Sequence, residues 1–192
     1  ANLVIIAGNR DDLEEMDDAT EQVFTELFLA MDRYDLYGKV ALPKHHQRDQ
    51  VPEIYRIAAA SNGVFVNPAL TEPFGLTLIE AAASGVPIVT TNDGGPRDII
   101  RYCKNGVLVD PLDTGEMGSA IETILSDRRT WRKYSRNGTR NVRKQYSWER
   151  HSETYLRQIR RRLISGKKAV RKPVRRSVLP TLDRLIICDL DN

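Results

Sequence analysis

Cysteine is scarce in this chain. Cys103 and Cys188 are the only two in 192 residues, and no CxxC spacing is present. Two isolated thiols build neither a disulfide framework nor a zinc site, so both are expected to be free thiols in a reducing compartment. Long apolar runs are also missing. None approaches the roughly 20 residues that cross a bilayer, and no signal-peptide pattern precedes the strand-like "NLVIIAG" at the start. The expectation is a cytoplasmic protein with no membrane partner. Histidine is rare, with three residues. The neighbours His45 and His46 point apart on an extended chain and have no evident third ligand, which argues against a metal. His151 falls in a helical pattern and reads as a structural or surface residue.

What remains, 41% hydrophobic and 29% charged, is the balance of a globular domain. The formal charge of +3 conceals an asymmetry. Residues 160 to 176, "RRRLISGKKAVRKPVRR", hold nine basic residues and no acid, whereas residues 1 to 159 hold nineteen basic and twenty-three acidic ones. Such a block reads as a solvated linker. It contains no aromatic residue to stack on bases, so no nucleic-acid partner is expected.

Short apolar runs alternate with helical patterns. Strands are expected at 3–8, 38–42, 63–68, 87–91 and 106–111. Each is bounded by Gly, Pro or Asn and apolar on both faces, as in a parallel sheet covered on both sides. Helices are expected at 15–34, 50–61, 75–84, 95–103, 113–127, 128–145 and 147–164. The alternation predicts an α/β fold with one Rossmann-like, doubly wound parallel sheet of at least five strands. Ligands of such sheets sit at the carboxyl ends of the strands. The loops there are Gly8 to Arg10, Pro43 to His46, Asn67 to Gly75, Asn92 to Pro96, and Asp110-Pro111.

The stretch "LTEPFGLTLIEAAASGVPIV", residues 70 to 89, joins a strand to a helix. It places Glu72 in the turn and Glu80 within an otherwise apolar helix, where a buried carboxylate needs a partner. Gly75 lets the backbone approach a phosphate closely. The N–H groups of Phe74, Gly75, Leu76 and Thr77 open a helix, a natural anion site, and could hold a diphosphate. Glu80 could accept two hydrogen bonds from a vicinal diol such as a ribose. Glu72 could meet sugar hydroxyls beyond the diphosphate. The plain alternative is an acidic helix start with a salt-bridged Glu80.

"EPFGLTLIE" resembles the nucleotide-sugar signature of retaining glycosyltransferases of the GT-B architecture, the glycosyl transferase group 1 type. The longer run from Ala41 to Val89 is similar to the sucrose-phosphate synthases, and "DGGP" (93–96), "NGVLVDP" and "YSWERHSETYL" fit as well. Asp93 stands where that family carries Asn. The resemblance covers about residues 1 to 165, read as the C-terminal, donor-binding half of a GT-B enzyme without its first strand. It implies glucose transfer from UDP-glucose to fructose 6-phosphate with retention, and no cofactor or metal for the transferase. An N-terminal acceptor-binding domain is expected to be missing, leaving the fragment inactive alone. Carried over residue by residue, Glu80 binds the uridine ribose, Glu72 contacts the donor glucose, and Phe74 to Thr77 hold the diphosphate. Pro43, Lys44 and His45 lie where the uracil is expected.

Beyond a basic linker at 166–182, residues 183–192 form a new apolar strand ending in "DLDN". This resembles the first motif of haloacid-dehalogenase-type phosphatases of the sucrose-phosphatase kind. Asp189 would be the nucleophile and Asp191 the acid/base, with Mg2+ bound only in a complete domain. Two other readings remain open: a hydrolase defined by that tail, and a non-catalytic nucleotide-binding module.

Overall fold

The computed structural model describes residues 2–6 and 17–169, with side chains through residue 164. The chain divides into two compact units, the second beginning at Trp148.

In the first unit strands and helices alternate: β1 (Leu3–Val4), α1 (Asp18–Arg33), β2 (Val40–Ala41), α2 (Val51–Ala60), β3 (Phe65–Asn67), α3 (Leu76–Ala83), β4 (Ile88–Thr91), α4 (Gly95–Cys103), β5 (Gly106–Val109), α5 (Thr114–Ser126) and α6 (Arg128–Gln145). The second unit contributes one long helix, α7 (Trp148–Ala169).

Strands β3, β4 and β5 form a parallel sheet in that order, with Phe65 opposite Ile88 and Ile88 opposite Gly106. β4 is buried along its whole length. Its alternate residues serve two cores, because successive strand side chains point to opposite faces. Ile88 packs with Leu78, Ala81 and Ala82 of α3, Ile99 and Cys103 of α4, and Val142 of α6. Val89 packs with Val109, Ile124 of α5 and Trp131 of α6. Helices therefore cover both faces, which is why the strand sequences are apolar throughout. The Trp131 indole N–H donates to the Gly63 carbonyl at 2.8 Å, fixing α6 to the turn before β3.

The sheet departs from expectation at its other end. β1 and β2 pair in parallel, Leu3 with Val40 and Val4 with Ala41, as a separate two-stranded sheet. Leu3 and Val4 are about half exposed, and α1 has no buried residue. Two residues per strand give a short ladder, and a parallel pair needs cover on both faces that α1 does not supply here.

The helix starts follow their sequences. Asp17, Asp113 and Asp127 cap α1, α5 and α6 through their carboxylates, and Pro52 sits in the first turn of α2. α3 and α4 differ. Both begin on glycine, at Gly75 and Gly94, with no side-chain cap. At the start of α3 the Leu76 and Thr77 N–H groups stay open at the carboxyl edge of the sheet, whereas at the start of α4 the Gly95 N–H is taken by the Glu72 carbonyl.

Candidate functional site

The segment from Asn67 to Gly75 leaves β3 and is stitched to its surroundings. The Asn67 side-chain amide donates to one Glu72 carboxylate oxygen at 3.2 Å, and the Phe74 N–H reaches the other at 3.4 Å. The Asn67 side-chain oxygen accepts the Ala69 N–H at 3.0 Å. Glu72 is half-buried and its two oxygens are pinned from both sides.

The next loop, after β4, locks the first from outside. The Gly95 N–H donates to the Glu72 carbonyl at 3.0 Å. A Cβ on Gly94 would stand 2.1 Å from that carbonyl oxygen, and one on Gly95 would stand 2.2 Å from the Phe74 oxygen. Gly94 also has φ +58°, a region glycine enters without strain. "DGGP" is thus the mould against which "EPFG" is set. That role is not legible in the sequence, where the two motifs lie about twenty residues apart. Two glycines ahead of Pro96 were the available signal.

Gly75 then turns the chain into α3. It has φ +90° and is buried, with Ile99 Cδ1 3.1 Å and Leu78 Cδ1 3.3 Å from where a Cβ would lie. Leu78 and Ile79 N–H groups both donate to the Gly75 carbonyl. The N–H groups of Leu76 and Thr77, ahead of those bonds, are the open donors of the helix start. Phe74 and Leu76 are 53% and 64% exposed, so this start faces outward.

Glu80 corrects an expectation. It is exposed, not buried. The helical period sends Leu78, Ala81 and Ala82 into the core and leaves Leu76, Thr77 and Glu80 on the outer side. Glu80 therefore needs no buried partner to be tolerated. Its position relative to the open donors is nevertheless favourable, four residues from Leu76 and on the same face. Its charge is felt by Tyr55 of α2. Burial first, and then Glu80, push the Tyr55 hydroxyl up to about 12. The Tyr55 ring meets Phe65 edge-on at 5.6 Å.

Pro43, Lys44 and His45 follow β2. Pro43 and Lys44 are half-buried and His45 is exposed. Among the described residues no three His, Cys, Asp or Glu side chains gather as a metal site, and no helix is long and apolar enough to cross a membrane. Asp189, Asp191 and the Gly8 to Arg10 loop lie outside the described residues.

A cleft lies beside the predicted residues, between the ends of β4 and β5. Its volume is about 540 Å³, and Leu70, Asn92, Asp93, Asp110, Leu112 and Glu116 line it. The walls are built from local bonds. Glu116 accepts the Asp110 N–H at 2.8 Å, and Arg97 donates to the Asn92 carbonyl through Nε and Nη2 at 2.8 and 2.6 Å. The helix start at Phe74 to Thr77 is by contrast an open surface.

A strand-to-helix junction with open N–H groups, flanked by two carboxylates and moulded by a Gly-Gly turn, is an arrangement that can be compared with known proteins. The sequence profile of the family "Glycosyl transferases group 1" matches residues 2–141. The chain belongs to that family. Over 159 residues, 83% of this group 1 glycosyl transferase chain, it is 51% identical to a probable sucrose-phosphate synthase of Oryza sativa subsp. japonica and 52% identical to the sucrose-phosphate synthase of Zea mays. The match spans only 16% and 15% of those two proteins. Among solved structures, the sucrose-phosphate synthase of Thermosynechococcus elongatus superposes with a TM-score of 0.66 at 28% identity, over 86% of this chain and 39% of that one. HepE of Anabaena in complex with UDP-glucose superposes with a TM-score of 0.58 at 22% identity, over 76% of this chain and 37% of that one. The Rossmann-like GT-B half expected from the sequence is thus the observed fold, apart from the separate β1–β2 pair.

Proposed function

We propose that this chain is the donor-binding part of a sucrose-phosphate synthase, which transfers glucose from UDP-glucose to fructose 6-phosphate with retention. The observation that carries the reading is the identity of 51–52% with plant sucrose-phosphate synthases across 83% of the chain. The residues at the sheet edge support it chemically. The backbone from Phe74 to Thr77 takes the diphosphate, chiefly through the open Leu76 and Thr77 N–H groups, since the Phe74 N–H already meets Glu72, and the α3 dipole helps. Charge develops on that diphosphate as the glycosidic bond breaks, and donors already fixed in place stabilise it without reorganising. Glu80 accepts hydrogen bonds from the ribose diol. Glu72, held by Asn67 and the Phe74 N–H, faces the donor sugar. Pro43, Lys44 and His45 are assigned to the base. The transferase is read as needing no metal.

On the same reading, residues 1–165 form the donor domain and the acceptor comes from an N-terminal domain supplied by the parent enzyme. The basic stretch 166–182 leads to 183–192, the start of a phosphatase-like domain. A cytoplasmic location goes with these substrates. Neither the hydrolase reading nor the non-catalytic module is favoured by the similarity to synthases.

The test is calorimetric titration of UDP, ADP and GDP into this chain. Binding of UDP in preference to the others, lost in Glu80→Ala, is the expected result. Equal affinity for all three, or UDP binding untouched by Glu80→Ala, overturns the assignment. The purified chain with UDP-glucose and fructose 6-phosphate is expected to form no sucrose 6-phosphate, and product formation would overturn the division of labour.

A further inference from the structure

Helix α6 carries eight basic residues, Arg128, Arg129, Arg132, Lys133, Arg136, Arg140, Arg143 and Lys144, and no acidic one. At 3.6 residues per turn all eight fall within one arc of about 160°. Every one is exposed. Trp131, Gly138 and Val142, the buried residues of α6, lie on the other side. Ion pairs among the described residues join Arg56 to Glu53 and Arg150 to Glu153, and none involves this arc. The nearest carboxylate in sequence, Asp127, is engaged by the Arg129 N–H and the Thr130 hydroxyl. Like charges crowded at three- and four-residue spacing repel one another. A helix that keeps eight of them together therefore carries an electrostatic cost that an anionic partner would relieve.

The kind of partner follows from what the arc lacks. It has no apolar residue to enter a lipid interface and no aromatic residue to stack on bases. The opposite charge is present in this same chain. From residue 11 to 32 the sequence has nine carboxylates and no base. Within α1, Asp18, Glu21, Glu26 and Asp32 are exposed and share an arc of about 140°, with Val23, Leu27 and Met31 on the other side. α1 and α6 form no packed interface within the molecule.

We propose that the basic outer face of α6 docks the acidic outer face of α1 from a second copy of this chain. One copy offers α6 and the other α1, so the contact is head-to-tail, and the pair keeps one free basic face and one free acidic face on which further copies can add. Contacts between exposed charges are screened by salt, so the association belongs to low ionic strength.

Sedimentation velocity on the full 192-residue chain tests this. The expected result is association that grows with protein concentration at low salt and disappears at high salt. R132E/R136E/R140E in α6 and D18K/E21K/E26K in α1 should each weaken it at least tenfold, with unchanged circular dichroism. Mixing those two variants should restore a one-to-one complex, because the untouched acidic α1 of the first meets the untouched basic α6 of the second. R160E/R161E/R162E in α7 should associate as the native chain does. A native chain that stays monomeric at low salt, a mixture that fails to associate, or loss in the α7 variant alone overturns the proposal. A monomeric chain that binds an RNA duplex through the same α6 arginines would replace it with a phosphate-backbone surface.

Discussion

The Gly95 amide donates to the Glu72 carbonyl at 3.0 Å, across two loops that leave different strands. That single bond joins the start of α4 to the acidic turn before α3. The two glycines at 94 and 95 exist to make it possible, since a Cβ at either would lie within 2.2 Å of the opposing backbone oxygens.

Gly95→Ala is therefore expected to force the loops apart. Overpacking against backbone costs about 1–3 kcal/mol and sometimes more, and here the clash is with a carbonyl that cannot rotate away. The loss should appear as a lowered urea midpoint, with donor binding reduced in parallel. A midpoint equal to that of the native chain would show that the loops separate freely.

Glu80→Ala should separate stability from binding. The side chain is exposed, and surface substitutions of that kind stay within about 0.5 kcal/mol. Removing a charged hydrogen-bonding group from a ligand costs about 1.5–3 kcal/mol, so UDP affinity in the intact parent enzyme should fall tenfold or more. Thermal melts and calorimetry on the same variant check both halves.

Asn67→Ala removes the amide that holds one Glu72 oxygen and the oxygen that accepts the Ala69 N–H. Two partly buried hydrogen bonds at about 1 kcal/mol each set the expected loss of stability. Transfer in the parent enzyme should fall as Glu72 loses its fixed position, with Asn67→Asp recovering only the Ala69 contact. Native turnover in Asn67→Ala would remove Asn67 from the positioning of Glu72.

Alkaline pH should destabilise the fold. Burial pushes Tyr55 and Tyr146 up to about 12 and Cys103 up to about 11. These groups keep their protons in the folded state at pH values where the unfolded chain has released them. The folded state then binds more protons, so stability is full below about pH 9 and falls as pH rises toward 12. Each group contributes at most about 1.4 kcal/mol per pH unit. Melts between pH 8 and 11 should show the decline, and Tyr55→Phe should flatten it.

Much of the α/β order was legible because each local signal agreed with the fold. Asp113 before α5, Pro52 in α2 and the both-sided apolar runs of β3 to β5 mark elements that local chemistry fixes within a residue or two. Residues Glu72 to Glu80 were legible as one unit for the same reason. Three things were not. The exposure of Glu80 depends on which side of α3 the core occupies, and composition around it suggested burial. The moulding of the Glu72 turn by Gly94 and Gly95 is a contact across 22 to 23 positions of sequence. The basic face of α6 is masked in the sequence by the denser run at 160–176, although residues 128–145 also hold eight bases and no acid.

Because Gly95 clamps Glu72, and Asn67 and Phe74 hold its carboxylate, the acidic loop is a fixed jaw rather than a moving lid. It cannot swing outward without breaking the joint with α4. This edge of the sheet therefore travels as one rigid piece, and any opening that the proposed transfer calls for has to arise outside it.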